Sequence, residues 1–231
     1  MDRTLFVINP NSTQEVTDQI SLALQAYRIA GGPNIVCDTL RSGPPGIETQ
    51  AHVDGSSERL LAYFEAHPQH AKADAVVLAC FSDPGFYALR ETLSCPVYGS
   101  AECAYLTAAG MGPKFGVISI LSRAIARHKR QVRLLGLEHK LAEDLAIEIG
   151  VTGLSQEDLT FRRMKEVGTT LVQEHGAGVI IMGCAGMARY RARLEDALKV
   201  PVIDPTQAAV GIALGNLLAR QGGKATQKLA A

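Results

Sequence analysis

Short apolar runs rich in β-branched residues alternate along the chain with longer stretches in which apolar positions recur at helical spacing. Such runs, bounded by turn residues, are typical of strands buried in parallel sheets, and the longer stretches predict helices. The predicted strands are Leu5–Ile8, Ile35–Cys37, Ala75–Leu78, Val97–Tyr98, Phe115–Ile118, Val179–Met182 and Val202–Ile203. The predicted helices are residues 13–29, 55–66, 84–92, 101–110, 122–135, 156–174, 187–198 and 206–220. This alternation predicts an α/β fold with mostly parallel sheets flanked by helices.

One segment of the chain is echoed by another, and each contains a cysteine at the end of an apolar strand. Ala75–Cys80 and Val179–Cys184 both run through a glycine-containing turn into a helix. Cys95–Ser100 and Val200–Pro205 follow at similar intervals, and each leads into an alanine-rich helix. The two cysteines are 104 positions apart (184 − 80). This repeat predicts two similar α/β halves.

Segments near both ends of the chain also belong to this internal repeat. Leu5–Pro10 and Phe115–Ile120 match each other at an offset of 110 (115 − 5). In an open parallel sheet, ligands bind beyond the carboxyl ends of the strands, so two facing halves would enclose one cleft. The predicted domains are residues 1–97 together with 205–221, residues 98–204, and a flexible tail at 222–231.

The charge composition indicates which kind of partner the protein binds. The chain has 231 residues, and its 23 basic residues balance 23 acidic ones without a block of either sign. The sequence therefore shows no electrostatic footprint for nucleic acid or an anionic membrane, and a small molecule is the expected partner. No apolar run reaches membrane-spanning length, and the first residues lack the features of a signal sequence. A cytoplasmic location is expected.

The five cysteines are expected to be thiols in that compartment. They include no Cys-x-x-Cys pair and the six histidines are scattered, which argues against a zinc site. Cys37, Cys95 and Cys103 are interpreted as small buried hydrophobic residues. Cys80 and Cys184 differ from them, because they occupy matching strand ends where a ligand would bind.

Two thiols in similar surroundings suit racemisation, which needs a base on one face of a stereocentre and an acid on the other. A cysteine between a strand and a helix feels backbone N–H groups and the positive end of the helix dipole, which favour the thiolate. A redox disulfide between Cys80 and Cys184 is the alternative, and it would abolish the acid and the base. The sequence has no pyridoxal lysine motif or metal cluster, so no cofactor is expected.

Further candidates lie near the two cysteines and at other strand ends. Backbone N–H groups in the turns could receive an enolate oxygen, and small residues there would allow close approach. Asp83 and Asp204, each followed by proline, could instead cap a following helix. The Asn9–Thr13 segment could likewise be a strand exit before a capped helix, and we favour a dual role for it. The predicted substrate-binding residues are Asn9, Asn11, Phe81, Ser82, Asp83, Ser119, Gly183, Ala185, Gly186 and Asp204.

The helix predicted at 122–135 is strongly basic. We interpret its charged side chains as a solvated face or a subunit contact rather than as an anion site. None of the histidines is assigned a catalytic role.

Four motifs, in this order, resemble the hydantoin racemase branch of the Asp/Glu/hydantoin racemase superfamily. They are Ile8–Thr13, Ala79–Gly85, Gly183–Met187 and Pro201–Asp204, and the resemblance covers roughly residues 4–215. It implies two pseudosymmetric α/β domains with a cleft between them. It also implies a cofactor-independent, two-base mechanism with Cys80 and Cys184 as catalytic residues.

The resemblance implies substrates as well, namely 5-substituted hydantoins, including allantoin, that lose the proton on C5. In the amino-acid racemases of the superfamily, Asn-Thr and Thr-Glu usually follow the cysteines, whereas Phe81-Ser82 and Ala185-Gly186 follow here. This difference disfavours a free amino acid. Ser82 and Ser119 stand where the family often has Gly and Thr, which leaves the C5 substituent open.

Other functions remain alternatives. They are another superfamily enzyme, such as an amino-acid racemase, a maleate-type isomerase or a malonate-type decarboxylase, and a two-lobed sensor that binds a ureide without converting it. The decarboxylases retain a single cysteine, so the presence of two argues against them. A homo-oligomer is expected, as is common for such folds.

Overall fold

The computed structural model describes residues 3–229, and the side chains among them as far as Arg220. The tail predicted for 222–231 lies outside the described side chains. No helix of the described part is both long enough and apolar enough to cross a membrane.

The chain forms two four-stranded parallel sheets with the same strand order. The first, ordered β2-β1-β3-β4, contains β1 (Thr4–Asn9), β2 (Asn34–Thr39), β3 (Ala75–Leu78) and β4 (Val97–Gly99). The second, ordered β6-β5-β7-β8, contains β5 (Phe115–Ser119), β6 (Leu141–Ala146), β7 (Val179–Met182) and β8 (Val202–Ile203). The predicted α/β fold with two similar parallel sheets is confirmed.

Helices cover the sheets on both faces. They are α1 (Gln14–Ala23), α2 (Gln50–Ala66), α3 (Pro68–Ala71), α4 (Phe86–Thr92), α5 (Ser100–Met111), α6 (Ser122–Leu134), α7 (Glu157–Gln173), α8 (Arg191–Leu198) and α9 (Pro205–Leu229). Short 3-10 helices occupy Gln25–Tyr27, Glu138–Lys140, Val151–Ser155 and Ala185–Tyr190.

The apolar runs of the predicted strands are uninterrupted because helices cover both faces of each sheet. Successive side chains of a strand point to opposite faces of the sheet. In β1, Leu5 and Val7 pack into one core cluster, whereas Phe6 and Ile8 pack into another. A strand covered on both faces has no position left for a polar side chain facing water, so it lacks the alternation of a half-exposed strand.

Two helices cross between the halves. α5 follows β4 of the first sheet but packs on the second, where Ala101 and Tyr105 join Phe115 and Val179 in one cluster. α9 follows β8 of the second sheet and packs on β1, β3 and β4 of the first. α5 and α9 also pack against each other. This exchange supports the division into 1–97 with 205–221 and 98–204, which we retain as a proposal.

The sequence pattern does not predict β6. This strand lies at the edge of its sheet, is mostly half-buried, and carries Glu143 and Asp144 at its centre. An edge strand needs apolar cover over less of its surface, so it lacks the apolar run that marks the inner strands. α2 also begins earlier than predicted, at Gln50, because Thr49 caps it by accepting the N–H of His52 (3.1 Å).

Candidate active site

The two cysteines occupy equivalent positions in the two halves. Cys80 follows β3, which ends at Leu78, and Cys184 follows β7, which ends at Met182. β3 and β7 hold the same place in the two sheet orders. Each thiol is therefore carried to the carboxyl edge of its sheet by an inner strand whose neighbours fix its position.

Both thiols line a single cavity. Its other walls are largely apolar and include Val16, Ile47, Ile120 and Val151. Among the predicted residues, the first half contributes Asn11, Cys80, Phe81 and Ser82, and the second contributes Gly183, Cys184, Ala185 and Gly186. Residues of both halves thus meet around one cavity that carries both sulfurs.

Burial raises the pKa of both thiols, to about 12 for Cys80 and about 11 for Cys184. In each case a backbone N–H two residues later, at Ser82 or Gly186, bonds to the sulfur and offsets part of this rise in pKa. The sequence prediction that N–H groups favour the thiolate is therefore correct in sign, but desolvation outweighs it. The charge of Cys184 further raises the pKa of Cys80, whereas the Arg127 guanidinium lowers it.

Asn9 does not line the cavity but bonds to Asn11, which does. It ends β1, is buried, and its Nδ2 donates to Oδ1 of Asn11 and to Oγ1 of Thr17, both at 3.0 Å. The N–H of Asn11 donates in return to Oδ1 of Asn9 (3.2 Å). Asn11 lines the cavity and also accepts the N–H of Thr13 (2.9 Å) just before α1.

Asp83 caps a helix and does not line the cysteine cavity. Its carboxylate accepts the N–H groups of Ala101 and Glu102, both at 3.0 Å, in the first turn of α5, and Nε2 of Gln131 (2.8 Å). Desolvation raises its pKa to about 7 in spite of these bonds. The capping alternative thus holds for α5, and not for the helix directly after the turn, which begins after Gly85.

Asp204 also caps a helix. It is buried, its Oδ1 accepts the N–H of Gln207 (2.7 Å) at the start of α9, and burial raises its pKa to about 6. It lies outside the cysteine cavity, on a separate depression shared with Tyr27 and Arg191. Its charge nevertheless raises the pKa of Cys184.

Ser119 belongs to a buried hydrogen-bonded group with His128 and Asp144. Its Oγ donates to Oδ1 of Asp144 (2.5 Å), and Nδ1 of His128 lies 2.9 Å from Oδ2 of Asp144 and 3.0 Å from Ser119 Oγ. Ser119 does not reach the cavity, but His128 lines it, with its ring edge-on to that of Phe81. We refer to Ser119, His128 and Asp144 as the His128 group.

The interpretation of α6 as a solvated basic face is wrong for two of its residues. Arg127 and His128 are buried and line the cavity, and Nε of Arg127 donates to Ser82 Oγ (3.2 Å). They share one helix face with Ala124 and Val132, the buried apolar residues of α6. That spacing is the signal by which the sequence could have identified them. Asp144 carries no comparable signal, because its strand was not predicted.

Gly183 allows the strand end to approach its neighbour. Its N–H donates to the carbonyl oxygen of Ile118 (2.8 Å). A Cβ at this position would lie 2.8 Å from that oxygen and 3.2 Å from Cα of Ser119. The position before Cys184 thus tolerates only glycine without a backbone shift.

Comparisons with known proteins agree with this geometry. The profile of the Asp/Glu/Hydantoin racemase family matches residues 5–213. A hydantoin racemase of Paenarthrobacter aurescens is 34% identical over 90% of this chain and 89% of that protein. The solved allantoin racemase of Klebsiella pneumoniae has a TM-score of 0.88 and 30% identity, over 95% of this chain and 89% of that one. That of Pseudomonas fluorescens has a TM-score of 0.87 and 28% identity, over 95% and 92%.

These similarities extend over nearly the whole of both chains in each comparison, and they include the two sheets that carry the cysteines. The predicted resemblance is confirmed. The chain belongs to the Asp/Glu/hydantoin racemase family, and it is an isomerase of the racemase type.

Proposed function

We propose that this racemase acts on 5-substituted hydantoins, including allantoin, and that Cys80 and Cys184 exchange the proton on C5. The observation that carries the proposal is the single cavity lined by both thiols, one from each sheet. The names of the relatives, hydantoin racemase and allantoin racemase, support the substrate class. The largely apolar cavity suits a neutral ring better than a free amino acid, whose two charges would have to be desolvated.

In the proposed reaction, one cysteine begins as a thiolate and the other as a thiol. The thiolate takes the C5 proton, and the electron pair of the C–H bond moves into the neighbouring ring carbonyl to give an enolate. The other thiol then gives its proton to the opposite face of C5, and the carbonyl re-forms. One proton enters and one leaves, so the enzyme ends with the thiolate on the opposite cysteine, ready for the reverse direction.

The turns after the cysteines would serve this reaction in two ways. The N–H groups of Ser82 and Gly186 bond to the sulfurs and stabilise whichever thiolate is present. We propose the preceding N–H groups, of Phe81 and Ala185, as partners for the enolate oxygen. The similar placement of these groups in the two halves would support both directions of the reaction.

A second depression adjoins the cysteine cavity and is proposed to receive the C5 substituent. The two share Val16, Val151 and Gly186. The added wall includes Leu154 and also Glu15 and Arg189, which form an ion pair at 3.3 Å. A polar substituent, such as the ureido group of allantoin, would find hydrogen-bond partners in this ion pair.

Proton exchange in deuterated water tests the proposal. Single enantiomers of allantoin and of several 5-substituted hydantoins are expected to lose optical rotation while deuterium appears at C5. Aspartate and glutamate serve as competing substrates and are expected to show neither change. Tight hydantoin binding without deuterium uptake would identify a sensor instead, and racemisation of the amino acids alone would assign the other branch of the family.

The reaction is expected to accelerate with pH. Because burial places the thiol pKa values at about 12 and 11, the thiolate is scarce at neutral pH. Its population, and with it kcat/KM, should rise about tenfold per pH unit between roughly pH 7 and pH 10. The profile is measured from initial rates, with uncatalysed racemisation at each pH subtracted. A profile that is flat or falls over this range would contradict the assignment of a thiolate base.

Replacing Arg127 with leucine is expected to lower kcat/KM by a factor of about 3 at pH 8. The guanidinium lowers the pKa of Cys80, so its loss makes the Cys80 thiolate still rarer. The rate of Cys80 alkylation by iodoacetamide, followed by mass spectrometry, should fall in parallel. Arg133→Leu is the matched control, because Arg133 lies on the same helix but is exposed and pairs with Glu138. Equal effects of the two substitutions would argue against a role for the Arg127 charge.

A further inference from the structure

The His128 group has a defined proton arrangement. The Ser119 hydroxyl has a single proton, and it donates this proton in a hydrogen bond to Oδ1 of Asp144. Oδ2 of the same carboxylate lies 2.9 Å from Nδ1 of His128 and accepts a hydrogen bond from it. Nδ1 is therefore the protonated nitrogen, and in the neutral imidazole Nε2 is then an acceptor.

This arrangement differs from that of a hydrolytic triad. In a triad the serine and the carboxylate bind opposite nitrogens of the imidazole, whereas Ser119 and Asp144 both bind Nδ1. Ser119 is also fully buried, so it cannot attack a substrate. The group instead fixes one tautomer and one orientation of the ring, as buried partners of a functional histidine do.

The other nitrogen is left for a ligand. All hydrogen bonds of the His128 side chain within the described residues are made by Nδ1, and the side chain lines the cysteine cavity. The Phe81 ring, edge-on at a centroid distance of 5.0 Å, holds the imidazole in place. A buried acceptor beside a ligand is costly to leave unpaired, so a bound molecule with an N–H group at this point is favoured.

We propose that Nε2 of His128 accepts a hydrogen bond from a ring N–H of the substrate, so that His128 selects cyclic ureides with a free ring N–H. This inference rests on the proposed function and names the residue that sets its substrate class. The bond exists before and after proton transfer, so it contributes to binding more than to the chemical step. Asp144 and Ser119 are positioning residues in this scheme, since they act through the imidazole.

Two substitutions of His128 separate the roles of its nitrogens. His128→Asn retains an N–H donor near the place of Nδ1, which keeps a partner for Asp144, but it removes Nε2. We expect it to raise KM for hydantoins about 10-fold or more and to change kcat only a few-fold. His128→Gln places an amide near the position of Nε2 and is expected to recover part of the loss. His139→Asn, at an exposed position outside the cavity, is the control.

Methylated substrates supply the decisive comparison. For one of the two methylated substrates, N1-methyl or N3-methyl hydantoin, the wild-type kcat/KM is expected to be lower by about 100-fold or more, because methylation removes the N–H that donates to His128. In His128→Asn this discrimination should largely disappear. In Asp144→Asn the new amide donates to Nδ1 and moves the imidazole proton to Nε2, so the same discrimination should be lost. A merely structural role would lower the active fraction and kcat and leave KM and the discrimination unchanged.

Calorimetric binding of the same hydantoins separates this inference from the proposed function. If the wild-type protein binds hydantoins but does not racemise them, the proposed function fails, and the affinity of His128→Asn still decides the role of His128. Unchanged KM, affinity and discrimination in His128→Asn would overturn the inference, as would wild-type protein that binds no hydantoin.

Discussion

Replacing Cys80 or Cys184 with serine is expected to lower racemisation in both directions by about 10³-fold. The serine hydroxyl is a much weaker acid than the thiol, so it neither forms the base nor returns the proton at a useful rate. Both cysteines line the same cavity, so either substitution removes one of the two proton carriers. Initial rates from each enantiomer, followed by optical rotation, measure the loss.

The cysteines outside the cavity provide the control. Cys95 is half-buried, as Cys80 and Cys184 are, but it does not line the cavity, and Cys95→Ser should retain the wild-type rate. Deuterium exchange adds a second readout, because the remaining cysteine of a single variant can still exchange the proton on its own face. The enantiomer that continues to exchange identifies that face. Wild-type rates in the double serine variant would show that the two-thiol mechanism is wrong.

Replacing Asp83 with alanine is expected to lower the free energy of unfolding by about 2–4 kcal/mol. Its carboxylate accepts the N–H groups of Ala101 and Glu102 in the first turn of α5 and the side-chain amide of Gln131, so the substitution leaves these donors without an acceptor. Urea unfolding measures the change. Asp74→Ala is the control, because the exposed Asp74 side chain accepts, among the described residues, only the N–H of Thr4. Its effect should stay within about 0.5 kcal/mol.

A double-mutant cycle with Gly99 tests the geometry of this contact. A Cβ at Gly99 would collide with the Asp83 carboxylate. Gly99→Ala should therefore cost about 1–3 kcal/mol in the wild-type background and little in the Asp83→Ala background. Additive effects of the two substitutions would place the carboxylate elsewhere.

The inner strands and the catalytic candidates could be predicted from the sequence because both depend on local pattern. A strand buried on both faces must be apolar throughout, and β3 and β7 have the predicted bounds. The internal echo distinguishes Cys80 and Cys184 from the other cysteines before any coordinates are known. The placement of both thiols on one cavity agrees with that prediction, and their catalytic role remains a proposal.

The residues that the sequence did not reveal depend on long-range packing. Asp144 lies on an edge strand with no apolar run, and it meets His128 only when α6 is laid against β6. Arg127 and His128 lie among other basic residues, so their spacing to Ala124 and Val132 is the one local sign that they face inward. Asp83 reaches a helix that begins after the next strand, whereas its sequence neighbours suggest a cap for α4.

The exchange of α5 and α9 has a consequence for how the protein is made. All strands of the first sheet are present once Gly99 has been synthesised, but α9, which covers one face of that sheet, starts only at Pro205. Until then, Leu5, Val7 and Val77 lack the part of their cover that α9 supplies, so a nascent chain would expose an apolar surface while residues 100–204 are synthesised. For the same reason, a fragment cut between β4 and β5 would not be an independent domain.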